Sequence, residues 1–149
     1  MPCRCPLTSC STPSVSAVVF HSANIGVTAG GAMEAIFDRT GRVCAWLRRD
    51  VVYDLDGRAV AFLRRDSIYS YRSRHLGRLR SGYIRDGHGR AVAFLKGATN
   101  GPMRPVPSVP PVPPIPQVPP VPPVPSVPPV PPVPSLSWSA TPWAQFVSA

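Results

Sequence analysis

The sequence is poor in acidic residues and in histidine, and it has no stretch of eighteen or more apolar residues. Seven Asp and Glu stand against 16 Lys and Arg, and there are three His among 149 residues. The lack of an apolar stretch argues against a transmembrane helix. His21, His75 and His88 have no adjacent nucleophile with an orienting carboxylate, and no glycine-rich phosphate loop occurs. We therefore expect no catalytic residues and no enzyme.

A repeat occupies the middle of the chain instead. Four sixteen-residue blocks align without gaps over residues 35–98. Their eighth position is always Arg and their thirteenth always Leu: Arg42, Arg58, Arg74, Arg90 and Leu47, Leu63, Leu79, Leu95. Asp38–Gly41, Asp54–Gly57 and Asp86–Gly89 supply turn chemistry between β-branched and aromatic residues, which predicts two short strands per block. Ser70 and Ser73 replace the turn residues in the third block, where we expect the weakest hairpin.

The second strands of the first, second and fourth blocks are apolar on both faces. Alternation predicts Cys44 on the face of Trp46, and Ala45 on the face of Leu47. One hairpin cannot bury two faces, but four gathered about an axis can. Cys44 corresponds to Val60, Leu76 and Val92, so we interpret it as a small buried hydrophobe. Cys3, Cys5 and Cys10 lack histidines at zinc spacing, so no metal site and no cofactor are predicted.

An arm rich in proline follows Asn100. It places an aliphatic residue at every third position from Val106 to Val133, with proline almost everywhere between. Polyproline II has three residues per turn, which would align these side chains on one edge of a semi-rigid rod. A second period, of nine residues, links Ser108, Gln117, Ser126 and Ser135. The arm is either a spacer or a ligand for an aromatic groove, and it either folds back or meets another molecule.

The repeated Φ-Tyr-Asp-x-x-Gly-Arg-x-Val-Ala-Phe pattern, the proline-rich arm and a Trp-Ser near the end resemble the bacterial four-fold β-flower family. Tyr53–Arg58 is also similar, more weakly, to the YD repeats of secreted toxin shells. The flower resemblance implies an all-β fold of four tandem hairpin petals with pseudo-fourfold symmetry, and it implies no activity. The residues before Met33 predict a disordered or non-native extension (1–32), because they lack a convincing signal-peptide core and Ala29–Ala32 could be encoded by a ribosome-binding sequence before a start at Met33. The rest of the chain divides into a flower domain (33–100), the arm (101–135) and an aromatic segment (136–149).

Two sets of candidate site residues follow. The partner-binding set joins the arm to the aromatic anchors: Val109, Val112, Ile115, Val118, Val121, Val124, Trp138, Trp143 and Phe146. The candidate anion-binding set lies in an acid-free stretch between Asp66 and Asp86: Arg72, Arg74, Arg78, Arg80 and Arg85.

Blocks 35–98 hold 14 Arg and Lys against six Asp, a balance that permits binding to a polyanion without demanding it. We therefore predict an interaction or scaffold module that presents its arm to a protein partner, with docking of the anchors on the flower or on that partner. A binder of nucleic acid or of an anionic surface is the alternative. Without a convincing signal peptide, we expect a cytoplasmic protein.

Overall fold

A computed structural model describes residues 31–149, in which eight antiparallel strands close into a barrel. In chain order they are β1 (Glu34–Asp38), β2 (Val43–Arg48), β3 (Val51–Tyr53), β4 (Ala59–Arg64), β5 (Ser67–Ser70), β6 (His75–Arg80), β7 (Tyr83–Arg85) and β8 (Ala91–Leu95). Each strand pairs with its neighbours in sequence, and β8 pairs back to β1. The all-β prediction is confirmed. The polyproline II geometry and the fourfold equivalence of the strand pairs stay predictions.

Beyond the barrel, the described residues contain one short helix, α1 (Trp143–Ser148). No helix within residues 31–149 is long and apolar enough to cross a membrane. The predictions for the N-terminal extension fall almost wholly on residues 1–30, which lie outside the described residues.

The turn between β1 and β2 shows why aspartate and glycine recur in the blocks. The carboxylate of Asp38 accepts the main-chain N–H groups of Thr40 and Arg42, at 2.8 and 3.1 Å. Gly41 adopts a φ of 84° and donates its N–H to the carbonyl of Asp38 at 3.0 Å. A positive φ costs a residue with a Cβ about 1–2 kcal/mol, which favours glycine at this position.

A bulge in each second strand corrects one sequence prediction. Ile36 pairs with Ala45 but Phe37 pairs with Val43, so that Cys44 is the extra, unpaired residue. The bulge shifts the alternation by one residue. Cys44 consequently packs with Ala45 and Leu47 rather than with Trp46, which belongs to a separate cluster. The prediction that Cys44 shares the face of Trp46 is wrong.

The barrel interior is filled by one aliphatic cluster with members on all eight strands, among them Ile36, Val52, Ile68 and Ile84. The equivalent positions Ala45, Ala61, Gly77 and Ala93 are buried and small. Burial raises the pKa of the Cys44 thiol, whose Sγ donates to the carbonyl of Ile36 at 3.4 Å. A thiol held in this form is a poor nucleophile, in agreement with a packing role.

On the outward-facing side of the barrel wall, large buried side chains pair across the strands that join one block to the next. These cross-strand pairs are Trp46 with Tyr53, Phe62 with Tyr69, and Phe37 with Phe94. The rings of Phe37 and Phe94 lie 5.4 Å apart, and those of Phe62 and Tyr69 lie 5.7 Å apart. At the fourth such position, between β6 and β7, the pair is Arg78 with Arg85.

Candidate interaction surface

The proline-rich arm does not leave the barrel but contacts all four turns in order. We call residues 101–138 the belt. The N–H groups of Ser108, Gln117, Ser126 and Ser135 donate to the carbonyls of Gly41, Gly57, Ser73 and Gly89, at 2.8, 2.9, 3.3 and 2.9 Å. Proline has no N–H to donate. Belt residues that lie nine positions apart are therefore the ones that bond the turns, which lie sixteen positions apart in the barrel.

The turn glycines also make room for the belt. A Cβ added at Gly41 or Gly57 would lie 2.5 Å from the carbonyl oxygen of Val106 or Ile115, and one at Gly89 would meet Val133 in the same way. Glycine is needed here both for its positive φ and for close approach of another main chain. The third turn has Ser73 at a φ of 63°, and its belt hydrogen bond is the longest of the four.

The two ends of the belt meet beside β7, where Arg85 joins them. Its Nη1 donates to the carbonyls of Gly89 and Ser135 at 2.8 and 2.7 Å, and its Nη2 donates to the carbonyl of Asn100 at 2.8 Å. Trp138 Nε1 donates to the carbonyl of Met103 at 3.3 Å. Both ends of the belt are thus fixed at one place on the barrel, and the belt makes a closed circuit.

The aliphatic residues of the belt face solvent. We call ten of them the aliphatic ridge: Val106, Val109, Val112, Ile115, Val118, Val121, Val124, Val127, Val130 and Val133. Their exposed fractions run from 85% at Val133 to 93% at Val118. The ridge includes all six arm residues of the predicted partner-binding set. The structure leaves these six accessible while the main chain between them is bound to the turns.

The three aromatic anchors of that set contact the chain's own barrel. The ring of Trp138 lies 6.1 Å from that of Tyr83 and 6.0 Å from that of Phe94. Phe146, on α1, is 4% exposed and packs in the interior cluster, with Trp143 beside it at 5.7 Å. The sequence left two docking possibilities open, on the flower or on a partner, and in the structure these anchors lie on the barrel.

The candidate anion-binding arginines do not form one surface. Arg72, Arg74 and Arg80 are exposed. Arg78 is half-buried, and its Nη2 donates to the carbonyl of Pro129 at 2.6 Å. Arg85 is 4% exposed and is engaged with three carbonyls, so the structure removes it from any exposed basic patch. Sequence reasoning missed that Arg78 and Arg85 hold the belt, and the only signal was that both replace an aromatic residue.

Asp86 links the last turn to the C-terminal segment. Its carboxylate accepts a hydrogen bond from Ser139 Oγ at 2.7 Å and two more from the main-chain N–H groups of His88 and Arg90. Burial alone would raise the pKa of Asp86, but these hydrogen bonds favour the charged form, and the net pKa lies below its ordinary value. The N–H of Ala91 donates to the carbonyl of Ser137, and the N–H of Ser139 donates to the carbonyl of Ala91. These bonds form a parallel bridge between Trp138 and Ala91 at the start of β8.

Residues 31–149 form a repeated antiparallel barrel that is encircled by its own proline-rich arm, and apolar side chains fill the barrel interior. The model of the 4-fold beta flower protein family matches residues 34–147, and the chain belongs to that family. The predicted resemblance is therefore confirmed. Neither the curated proteins nor the solved structures contain a significant match.

Proposed function

We propose that the chain is a non-enzymatic interaction module that presents the aliphatic ridge to a protein partner. The observation that carries the proposal is the 85–93% exposure of ten aliphatic side chains on a main chain bound at four points. Apolar patches on monomeric proteins rarely exceed a few hundred Å², and larger ones mark interaction sites. A ridge of this length has no role in the chain's own core, and binding a partner gives it one.

We infer further that the belt is in the polyproline II conformation and that the four strand pairs act as equivalent petals. With three residues per turn, one edge of the belt carries every third side chain, which agrees with the uniform exposure of the ridge. Proline-rich ligands of this kind dock in aromatic-lined grooves, and they lose little conformational entropy because their shape exists before binding. The four turn contacts hold that shape more firmly than a free arm would.

The ridge contains three closely similar nine-residue units, which end at Gln117, Ser126 and Ser135. Each unit spans the distance from one bound turn to the next. A partner module that recognises one unit would therefore find a second and a third on the same chain. Repeated sites raise the overall affinity without any new kind of contact, provided that the geometry lets them be engaged together.

The proposal is tested with a triple variant, Val118→Ser, Val121→Ser and Val124→Ser, which removes the ridge from one unit. It keeps every proline and the N–H of Ser126, so the belt should remain bound. The full chain and the variant are immobilised, proteins from the native host are captured and then washed at moderate salt, and the bound proteins are quantified by mass spectrometry. We expect a defined set of proteins to be depleted severalfold on the triple variant.

The matched control is Leu55→Ser, which removes an exposed apolar side chain (47% exposed) at a turn rather than on the belt. It should retain the whole captured set. Equal capture by the full chain, the control and the triple variant would contradict the proposal. Circular dichroism and thermal unfolding of all three proteins verify that any loss of capture does not arise from unfolding.

A second candidate function rests on Arg72, Arg74 and Arg80, which are exposed in a stretch without acidic residues. Here the ligand would be nucleic acid or another extended polyanion. Such binding weakens steeply with salt, because condensed counterions are released. The triple variant should bind such a polyanion as well as the full chain does. Capture that is lost in salt and unchanged by the triple variant would favour this candidate over the first.

A further inference from the structure

The junction between β6 and β7 places two positive charges where the other junctions have aromatic pairs. Arg78 and Arg85 are directly opposite each other in the strand register. Like charges in this relation destabilise a sheet. The nearest acidic residues in sequence are Asp66 and Asp86, and the carboxylate of Asp86 already accepts hydrogen bonds from Ser139, His88 and Arg90. Arg78 donates to the carbonyl of Pro129 and Arg85 donates to three main-chain carbonyls, so neither guanidinium is hydrogen-bonded to a carboxylate within residues 31–149.

A cleft of about 320 Å³ opens at this junction and is lined by Arg80, Ser81, Arg85, Asn100 and Pro134. Its volume lies at the lower end of the range for small-molecule sites. The lining brings together a third arginine, a hydroxyl and a side-chain amide, all of which can donate hydrogen bonds to an anion. Pro134 belongs to the end of the belt, so the cleft also lies at the closure of the circuit.

Arg85 is buried at the closure, and its donors are not all used. Three of its five N–H groups bond main-chain carbonyls, which leaves the Nε hydrogen and one Nη2 hydrogen. Nε of Arg85 and Nε of Arg78 are buried with no hydrogen-bond partner among the described residues. Burial lowers the pKa of Arg85 and Arg80 lowers it further, as expected for a cation that has cationic neighbours.

We propose that this cleft binds a phosphate-class oxyanion between Arg80 and Arg85, with Ser81 and Asn100 as further donors. Arginine suits such a ligand because its planar fork matches two oxygens of a phosphate. The anion offsets the positive charges of Arg80 and Arg85 and adds a contact where the two ends of the belt meet. Occupancy therefore stabilises the closed belt. This site is independent of the aliphatic ridge, and it shares Arg80 with the candidate polyanion surface.

The test uses the full chain and inorganic phosphate as the probe, with chloride added to hold the ionic strength constant. Thermal unfolding and isothermal calorimetry are measured for the wild type, for Arg80→Gln and for Arg64→Gln. Arg64 is the matched control, because it occupies the same repeat position in the preceding block and is also exposed. We expect phosphate to raise the Tm of the wild type and of Arg64→Gln. The Kd for phosphate should be at least tenfold weaker in Arg80→Gln.

Two results would overturn the proposal. An equal response of Arg80→Gln and the wild type would show that the cleft is not the site. An equal loss in both variants would show that phosphate acts on the overall charge of the surface. Glycerol 3-phosphate and vesicles of phosphatidylcholine containing phosphatidic acid separate the sources of the phosphoryl group. We expect the soluble phosphomonoester to compete with phosphate and the vesicles not to bind.

Discussion

The second and third repeats each form two antiparallel strands, but they differ at the turn, on the outward-facing side of the barrel and in its interior. The second has glycine at the turn (Gly57), and the third has Ser73. Where the second has Phe62 on the outside of the barrel, the third has Arg78. In the interior, Ala61 corresponds to Gly77. All three changes lie in the repeat that contacts Ser126 and Pro129 of the belt and Phe146 of α1.

Two of these departures coincide with a contact that the second repeat does not make. Arg78 donates to the carbonyl of Pro129 on the belt. Gly77 lies against the ring of Phe146, whose Cζ would be 3.0 Å from an added Cβ. The sixteen-residue sequence pattern is therefore interrupted where Pro129 and Phe146 contact the barrel. Four predictions test this reading, in order of decreasing effect.

The largest effect is expected from Gly77→Ala. An added Cβ would collide with the main-chain carbonyl of Arg85 and press on Phe146, and neither the carbonyl nor a buried ring can move freely. We expect the free energy of unfolding to fall by about 3 kcal/mol, the upper end of overpacking costs. The reciprocal change, Ala61→Gly, should cost only about 1 kcal/mol. Denaturant unfolding measures both, and a larger loss for Ala61→Gly would contradict our account.

The turns should respond in opposite directions when their residues are exchanged. Gly57→Ser places a Cβ 2.5 Å from the carbonyl oxygen of Ile115 and forces serine to a φ near 82°, so we expect a loss of about 2 kcal/mol. Ser73→Gly relieves the positive φ, less the entropy cost of glycine, for a gain of about 0.5 kcal/mol. Thermal unfolding of the two variants and the wild type shows whether each substitution lowers or raises the stability. Destabilisation by Ser73→Gly would show that Ser73 makes a compensating contact.

Removing the belt donors should cost more at the second turn than at the third. Gln117→Pro deletes an N–H that bonds at 2.9 Å, whereas Ser126→Pro deletes one that bonds at 3.3 Å. Pro116 and Pro125 already precede these positions, so an extended backbone is retained. We expect losses of about 1 kcal/mol for Gln117→Pro and about half of that for Ser126→Pro. Equal losses in denaturant unfolding would show that bond length does not rank the contacts.

The smallest effect concerns pH and is confined to the third repeat. Burial and the charge of Arg78 lower the pKa of His75, so the neutral form is favoured when the protein is folded. Stability from this source is complete above the unfolded pKa of about 6.5 and is lost as pH falls below it. His75→Ala restores the residue found at Ala59, and it should flatten the change in Tm between pH 7.5 and 5.5. An unchanged slope would assign the pH dependence to another group.

Local chemistry made the barrel predictable. The turn residues and the sixteen-residue spacing were sufficient for an all-β repeat, because a turn is decided by a few neighbouring residues. The side on which Cys44 packs was not predictable by alternation, since one unmarked bulge reverses it. The role of Arg85 was hidden for another reason. Its three acceptors, the carbonyls of Gly89, Ser135 and Asn100, come from segments that only the closed belt brings together.

The matching periods of the barrel and the belt bear on how such chains can change in length. Sixteen residues of barrel and nine residues of belt span the same interval between bound turns. A duplication that adds one barrel block alone would leave a turn with no N–H donor, and it would shift every later donor out of register. An insertion of three residues in the belt would keep the spacing of the aliphatic residues. It would move the later N–H donors away from the turn carbonyls that they bond. Gain or loss of one sixteen-residue barrel block should therefore require gain or loss of one nine-residue belt unit, which is encoded in a separate part of the gene.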